Sequence, residues 1–95
     1  MRGYVRAVAL TGADQAVRDT AGVYHGYTVV ETAGSAATVR IYDNASAASG
    51  TLIGAVNLAA NGSADLCLNV GQWVTNGIYV DVGGSGTVAG SVRIG

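Results

Sequence analysis

The chain has no proline, no phenylalanine and no lysine, and carries one cysteine, one histidine and one tryptophan in 95 residues. Each scarcity excludes something. A single thiol rules out an intramolecular disulfide framework and any cysteine-rich zinc site. The five basic residues, all Arg, are set against six acids for a net charge of −1, which leaves no dense cationic surface for a nucleic acid. With 49% hydrophobic and only 12% charged residues, the composition is too apolar for a disordered chain. Met1–Leu10 includes Arg2 and Arg6 but lacks the apolar run of about 7–15 residues of a secretory signal. No stretch approaches the roughly 20 apolar residues of a spanning helix, so no membrane partner is expected. A thiol without a signal suits synthesis in a reducing cytoplasm.

What is abundant is small. Ala (16), Val (14) and Gly (15) make up 45 of the 95 residues, a mixture that favours thin, closely packed β layers. A chain this short forms one domain and buries only about 60–65% of its unfolded surface. The dominant hydrophobic period is two. In Thr38–Asp43, Val39 and Ile41 face one way and Thr38, Arg40 and Tyr42 the other. Leu52, Val56 and Leu58 form a second stripe, and Val88, Val92 and Ile94 a third. Gly54 and Gly90 interrupt these stripes and mark bulges, bends or close backbone approaches.

Turn-forming pairs punctuate the stripes at Asp43-Asn44, Ser49-Gly50, Asn61-Gly62, Asn76-Gly77 and Gly83–Gly86. The pattern predicts strands over 4–10, 15–19, 23–32, 37–43, 51–59, 64–70, 77–82 and 87–94, with an exposed loop at 43–50. No stretch carries a sustained 3.6-residue period. The expected fold is all-β, a small antiparallel β-sandwich or barrel of about 7–8 short strands.

Candidates for chemistry are few. His25 and Cys67 could form a dyad only if the fold brings them together. Cys67, within Asp65-Leu66-Cys67-Leu68, reads as a small buried hydrophobe, and His25, between Tyr24 and Tyr27, as a structural or interface histidine. Asp14, Asp19, Glu31, Asp43, Asp65 and Asp81 are scattered over strand ends and turns, without the facing pair that glycoside hydrolysis needs. Asp43-Asn44 reads as a turn cap rather than as part of a cation site. The glycines at 83–86 lack the Lys and Ser/Thr of a phosphate loop. No catalytic residue, metal or cofactor is expected, and the chain reads as a non-enzyme.

The aromatic residues are all amphipathic: Tyr4, Tyr24, Tyr27, Tyr42, Tyr79 and Trp73. Such side chains are enriched at protein contacts, which makes Tyr24, Tyr27, Tyr42, Trp73 and Tyr79 candidate interface or ligand aromatics. Some must also fill the core, since little else is bulky. Arg-only cations suit fixed, bidentate pairs, and a net charge near zero protects a lone monomer poorly against association. Both features suit a subunit that lives against other subunits.

Several segments carry a resemblance to a known group. They are Gly22–Gly34, Val39–Asp43, Ser49–Ile53, Leu58–Asp65, Gly77–Val80 and Gly86–Arg93. In their order, over roughly three quarters of the chain, they resemble small all-β virion structural proteins of tailed phages of actinobacteria. The resemblance implies a structural role, with Gly26, Gly50, Gly77 and Gly90 shaping the backbone and no catalytic residues. It also implies a virion component made in a host bacterial cytoplasm.

The leading expectation is a capsid decoration or cement subunit on the capsid exterior. Its partners would be the major capsid protein and copies of itself, as a trimer, with many weak contacts stiffening the shell through avidity. Residues 1–19, with Arg2, Tyr4, Arg6 and Arg18, are the expected arm or first strands contacting the shell or a neighbouring subunit; 20–95 form the compact β domain. The alternative is a tail, fibre or head-appendage component binding host-surface carbohydrate, with Trp73 beside Gln72 as its platform.

Overall fold

The computed structural model describes residues 5–95, and these contain eight strands and no helix. The strands are β1 (Arg6–Ala9), β2 (Gln15–Arg18), β3 (Gly22–Glu31), β4 (Ala37–Asp43), β5 (Thr51–Leu58), β6 (Ser63–Val74), β7 (Ile78–Gly84) and β8 (Val88–Ile94). They form two four-stranded antiparallel sheets, ordered β1-β8-β3-β6 and β2-β7-β4-β5. Strand one pairs with eight, two with seven, three with six and four with five. The chain is thus one long hairpin, tipped by β4–β5 and rolled so that its arms split between two layers. This is the jelly-roll arrangement of an antiparallel sandwich.

Each expected strand has its observed counterpart, and the alternation sets which side chains face inward. Val39 and Ile41 of β4 are fully buried, as are Val88, Val92 and Ile94 of β8, while Thr38, Arg40 and Tyr42 face outward. With Val29, Val74, Ile78 and Val80 these residues make the interlayer core. Each buried Val or Ile contributes about 1.5–3 kcal/mol, and small side chains let the layers approach closely.

Bulges break the alternation, and there the structure departs from the sequence reading. On β3, Tyr24 pairs with Ile94 and Gln72, whereas Gly26 pairs with Arg93 and Cys67. His25 is therefore an extra residue towards β8, and residues 68–71 of β6 stand opposite it on the other side. The bulge resets the phase, so Tyr24 and Tyr27 both turn inward, at 0% and 8% exposure. These two tyrosines are core residues, which corrects their assignment as interface aromatics. Gly26 has φ +120°, and a Cβ there would collide with the Leu66 carbonyl of the adjacent strand.

A second bulge lies in β5. Ile41 pairs with Gly54 but Tyr42 pairs with Leu52, so Ile53 is the extra residue. Leu52 is displaced to the outer face and is 49% exposed, while Ile53 packs against the core. The expected stripe of Leu52, Val56 and Leu58 therefore holds only from Val56 onward. β6 also runs longer than expected, to Val74, and carries Gln72 and Trp73 within a strand.

Two carboxylates organise the ends of the sandwich. Glu31 is 1% exposed and accepts hydrogen bonds from the backbone N–H groups of Ala33, Gly34, Ser35, Asn61 and Thr87. One side chain thus ties together the β3–β4, β5–β6 and β7–β8 connections. The Asn61 N–H leads in holding its carboxyl down at about 2, against the opposing effect of burial, with Thr87, Ala33 and Gly34 adding to it. At the other end, Asp43 accepts from the N–H groups of Thr75, Asn76 and Gly77 and from the Thr75 hydroxyl. Desolvation acts to raise its carboxyl, but these hydrogen bonds outweigh it and leave the group below its ordinary value. Asn44 Oδ1 accepts from Ser46 and Ala47, so Asp43-Asn44 is a double turn cap.

Candidate functional site

The outward residues fall into cross-strand rows. On the second sheet, Ala16, Tyr79, Tyr42 and Leu52 stand side by side on β2, β7, β4 and β5. Tyr42 and Tyr79 are half-buried and Leu52 is exposed, giving an aromatic and aliphatic stripe. The next row carries Asp81, Arg40 and Ala55. The Arg40 guanidinium turns towards β5, where Nη1 donates to the Val39 and Val56 carbonyls and Nη2 to Asn57 Oδ1 at 2.7 Å. Burial, followed by a hydrogen bond and charge from Asp14, pushes the Asp81 carboxyl up, and Arg40 offsets part of this. Asp14 itself accepts the Val82 N–H at 2.8 Å and so fastens the entry of β2 to β7.

On the first sheet, Arg93 is the fixed cation. Its Nη1 donates to the Tyr27 and Leu66 carbonyls at 3.0 Å, and its Nη2 to Asp65 Oδ1 at 3.1 Å and to the Thr28 hydroxyl. This is the one ion pair among the described residues. Hydrogen bonds from Thr28 and Arg93 hold the Asp65 carboxyl below its ordinary value. The guanidinium satisfies carbonyls beside the β3 bulge through several donors, and its pair with Asp65 is a single contact rather than the bidentate pair expected from the sequence.

Beyond the bulge lie Val23, His25 and Trp73. Trp73 stands opposite Val23 and is 64% exposed. The His25 imidazole lies over the backbones of Gly71 and Gly95, where a Cβ at either would press on it. Val70, within the residues opposite the bulge, is the most exposed large apolar side chain described. Gln72 pairs with Tyr24 and Trp73 with Val23, so these successive residues point to opposite sides of β6. They do not form the joint platform anticipated from sequence.

The other expected contact residues distribute as follows. Arg2 and Tyr4 lie outside the described residues. Arg6 begins β1 and is exposed, at the edge of the first sheet. Arg18 is drawn in: its Nε donates to the Ala21 carbonyl at 2.8 Å, and its side chain covers Gly22. Cys67 is an exposed free thiol, which corrects its assignment to the core. Leu66 and Leu68 take the inward direction, leaving Cys67 on the outer face with Asp65.

Among the described residues no three His, Cys, Asp or Glu side chains converge, and no pocket opens. What the surface offers is two gently textured sheet faces, one with a tyrosine–leucine stripe and one with an exposed tryptophan. No protein-family model, curated protein or solved structure matches the chain.

Proposed function

We propose that the chain is a non-enzymatic structural protein of a phage virion, a decoration or cement subunit that binds the outer head shell. The observation that carries this reading is the outer face of the second sheet, where Tyr79, Tyr42 and Leu52 form a continuous amphipathic stripe. Aromatic rings, with few rotatable bonds, give contact area at little entropic cost. A small, nearly neutral domain of this kind suits repeated docking on a lattice, with avidity supplying strength. Its partners in this reading are the major capsid protein and further copies of itself in a trimer.

The exposed Arg6 and the strands β1 and β2 supply a second contact region. Each is one of the two outer strands of its sheet, so shell attachment through residues 1–19 would use sheet edges. The test is quantitative mass spectrometry of purified particles, counting this chain against the major capsid protein. A ratio near one or another simple lattice fraction is expected; absence from particles overturns the proposal.

A second reading rests on Trp73. Its exposed indole on the outer face of the first sheet suits stacking on a sugar ring, as a tail, fibre or head-appendage component would use. A few copies per particle, with loss of glycan binding in Trp73→Ala, would favour it over decoration.

A further inference from the structure

β5 is one of the two outer strands of the second sheet, so its free side imposes no register on it. It carries two large aliphatic residues in succession, Leu52 and Ile53, followed by Gly54. Only one of the two can face the core at a time. In the observed pairing the bulge gives that place to Ile53, while Leu52 stands on the outer face at 49% exposure. Yet Leu52, Gly54, Val56 and Leu58 already follow an uninterrupted period of two. Without the bulge, Leu52 would share the inward face of Gly54, Val56 and Leu58, and Ile53 would turn outward. One residue moved into the connection after Asp43 is all the change requires.

Gly54 keeps its partner Ile41 in either arrangement and anchors the strand beside the residues that exchange. The Tyr24 hydroxyl crosses from the opposite sheet and presses on Gly54, where a Cβ would lie 2.8 Å away. That hydroxyl is buried and has no hydrogen-bond partner among the described residues. An edge strand whose apolar residues can face either way specifies its register weakly.

We propose that β5 is a two-register strand, in which Leu52 and Ile53 compete for one place against the core and exchange by forming or removing the bulge before Gly54. The exchange changes which aliphatic side chain stands beside Tyr42 on the outer face, and so alters the stripe without unfolding the domain. The inference stands on the pairing and exposure of β5 and holds whatever binds that stripe.

The test is a double-mutant cycle of Leu52→Thr and Ile53→Thr in the full chain, read by chemical unfolding. If the two residues substitute for each other, each single variant is mild, and the double variant destabilises by more than the product of the single effects. An excess of about threefold or more in the unfolding constant is expected. Methyl contacts by NMR give an independent readout: in Ile53→Thr the Leu52 methyls should move against Ile41. Additive single effects, with Leu52 still solvent-exposed in Ile53→Thr, overturn the proposal.

Discussion

The Tyr24 hydroxyl occupies the space that a side chain at position 54 would need. A Cβ on Gly54 would lie 2.8 Å from it and 3.3 Å from Ile41 Cδ1. The tyrosine spans the interlayer core, from the first sheet to the edge strand of the second. Burial, with the neighbouring Tyr27 adding to the effect, drives its phenol well above the ordinary value, so it stays neutral at any ordinary pH. Tyr24→Phe is expected to stabilise the domain by up to about 1 kcal/mol, because it removes a buried donor without a partner. Gly54→Ala should destabilise, and by less when combined with Tyr24→Phe. Thermal unfolding of the four combinations measures both effects; a destabilising Tyr24→Phe would show that the hydroxyl has a partner.

Glu31 predicts an acid limb. Its carboxyl is held at about 2 against an ordinary 4.5. The carboxylate therefore stabilises the fold fully above about 4.5, and that contribution fades as pH falls towards 2. Glu31→Gln should lower the melting temperature at neutral pH and flatten its pH dependence over that window. An unchanged acid limb in the Gln variant would assign the dependence to other carboxylates.

Asp81 has the opposite sign. Its carboxyl is raised by burial and by Asp14, so its protonated form favours the fold, and this contribution is lost as pH rises through the raised value. Asp81→Asn should stabilise the domain at neutral pH and have little effect in acid. Melting curves at the two pH values decide, and a uniform loss of stability would mean that Asp81 holds an attractive partner.

Cys67 is exposed and should react with a thiol reagent in the folded protein as fast as in denaturant, to within a small factor. Reaction only after unfolding would return it to the core. Trp73, as the single tryptophan, gives a parallel check: its emission should be that of a hydrated indole and open to quenching by a neutral solute.

Much of this architecture is legible in the sequence, because a pleated strand with one buried face leaves a two-residue rhythm. Val39 and Ile41 of β4 and Val88, Val92 and Ile94 of β8 are assignable on that ground alone. Bulges carry no comparable signal. The inward placement of both Tyr24 and Tyr27, three residues apart, follows from the extra residue His25, and Gly26 is only a hint of it. Periodicity puts Leu52 on the wrong face for the same reason, across Ile53. The outward direction of Cys67 is readable: Leu66 and Leu68 flank it and claim the core, so it has to share the direction of Asp65. The hydrogen bonds of Glu31 are not readable, since their donors come from connections up to 56 residues away.

The nested pairing of the strands also dictates an order of assembly. The β4–β5 hairpin closes a short loop, β3–β6 encloses it, and β1–β8 joins residues as far apart as Arg6 and Ile94. Each successive pair must close a longer stretch of chain, at a rising cost in entropy. The domain therefore belongs among slow, high-contact-order folders, with timescales of roughly milliseconds to seconds. Its first sheet cannot be completed until residue 94 has been synthesised. Until then β8 is missing from between β1 and β3, and the backbone edge of β3 stays unpaired and open to neighbouring chains.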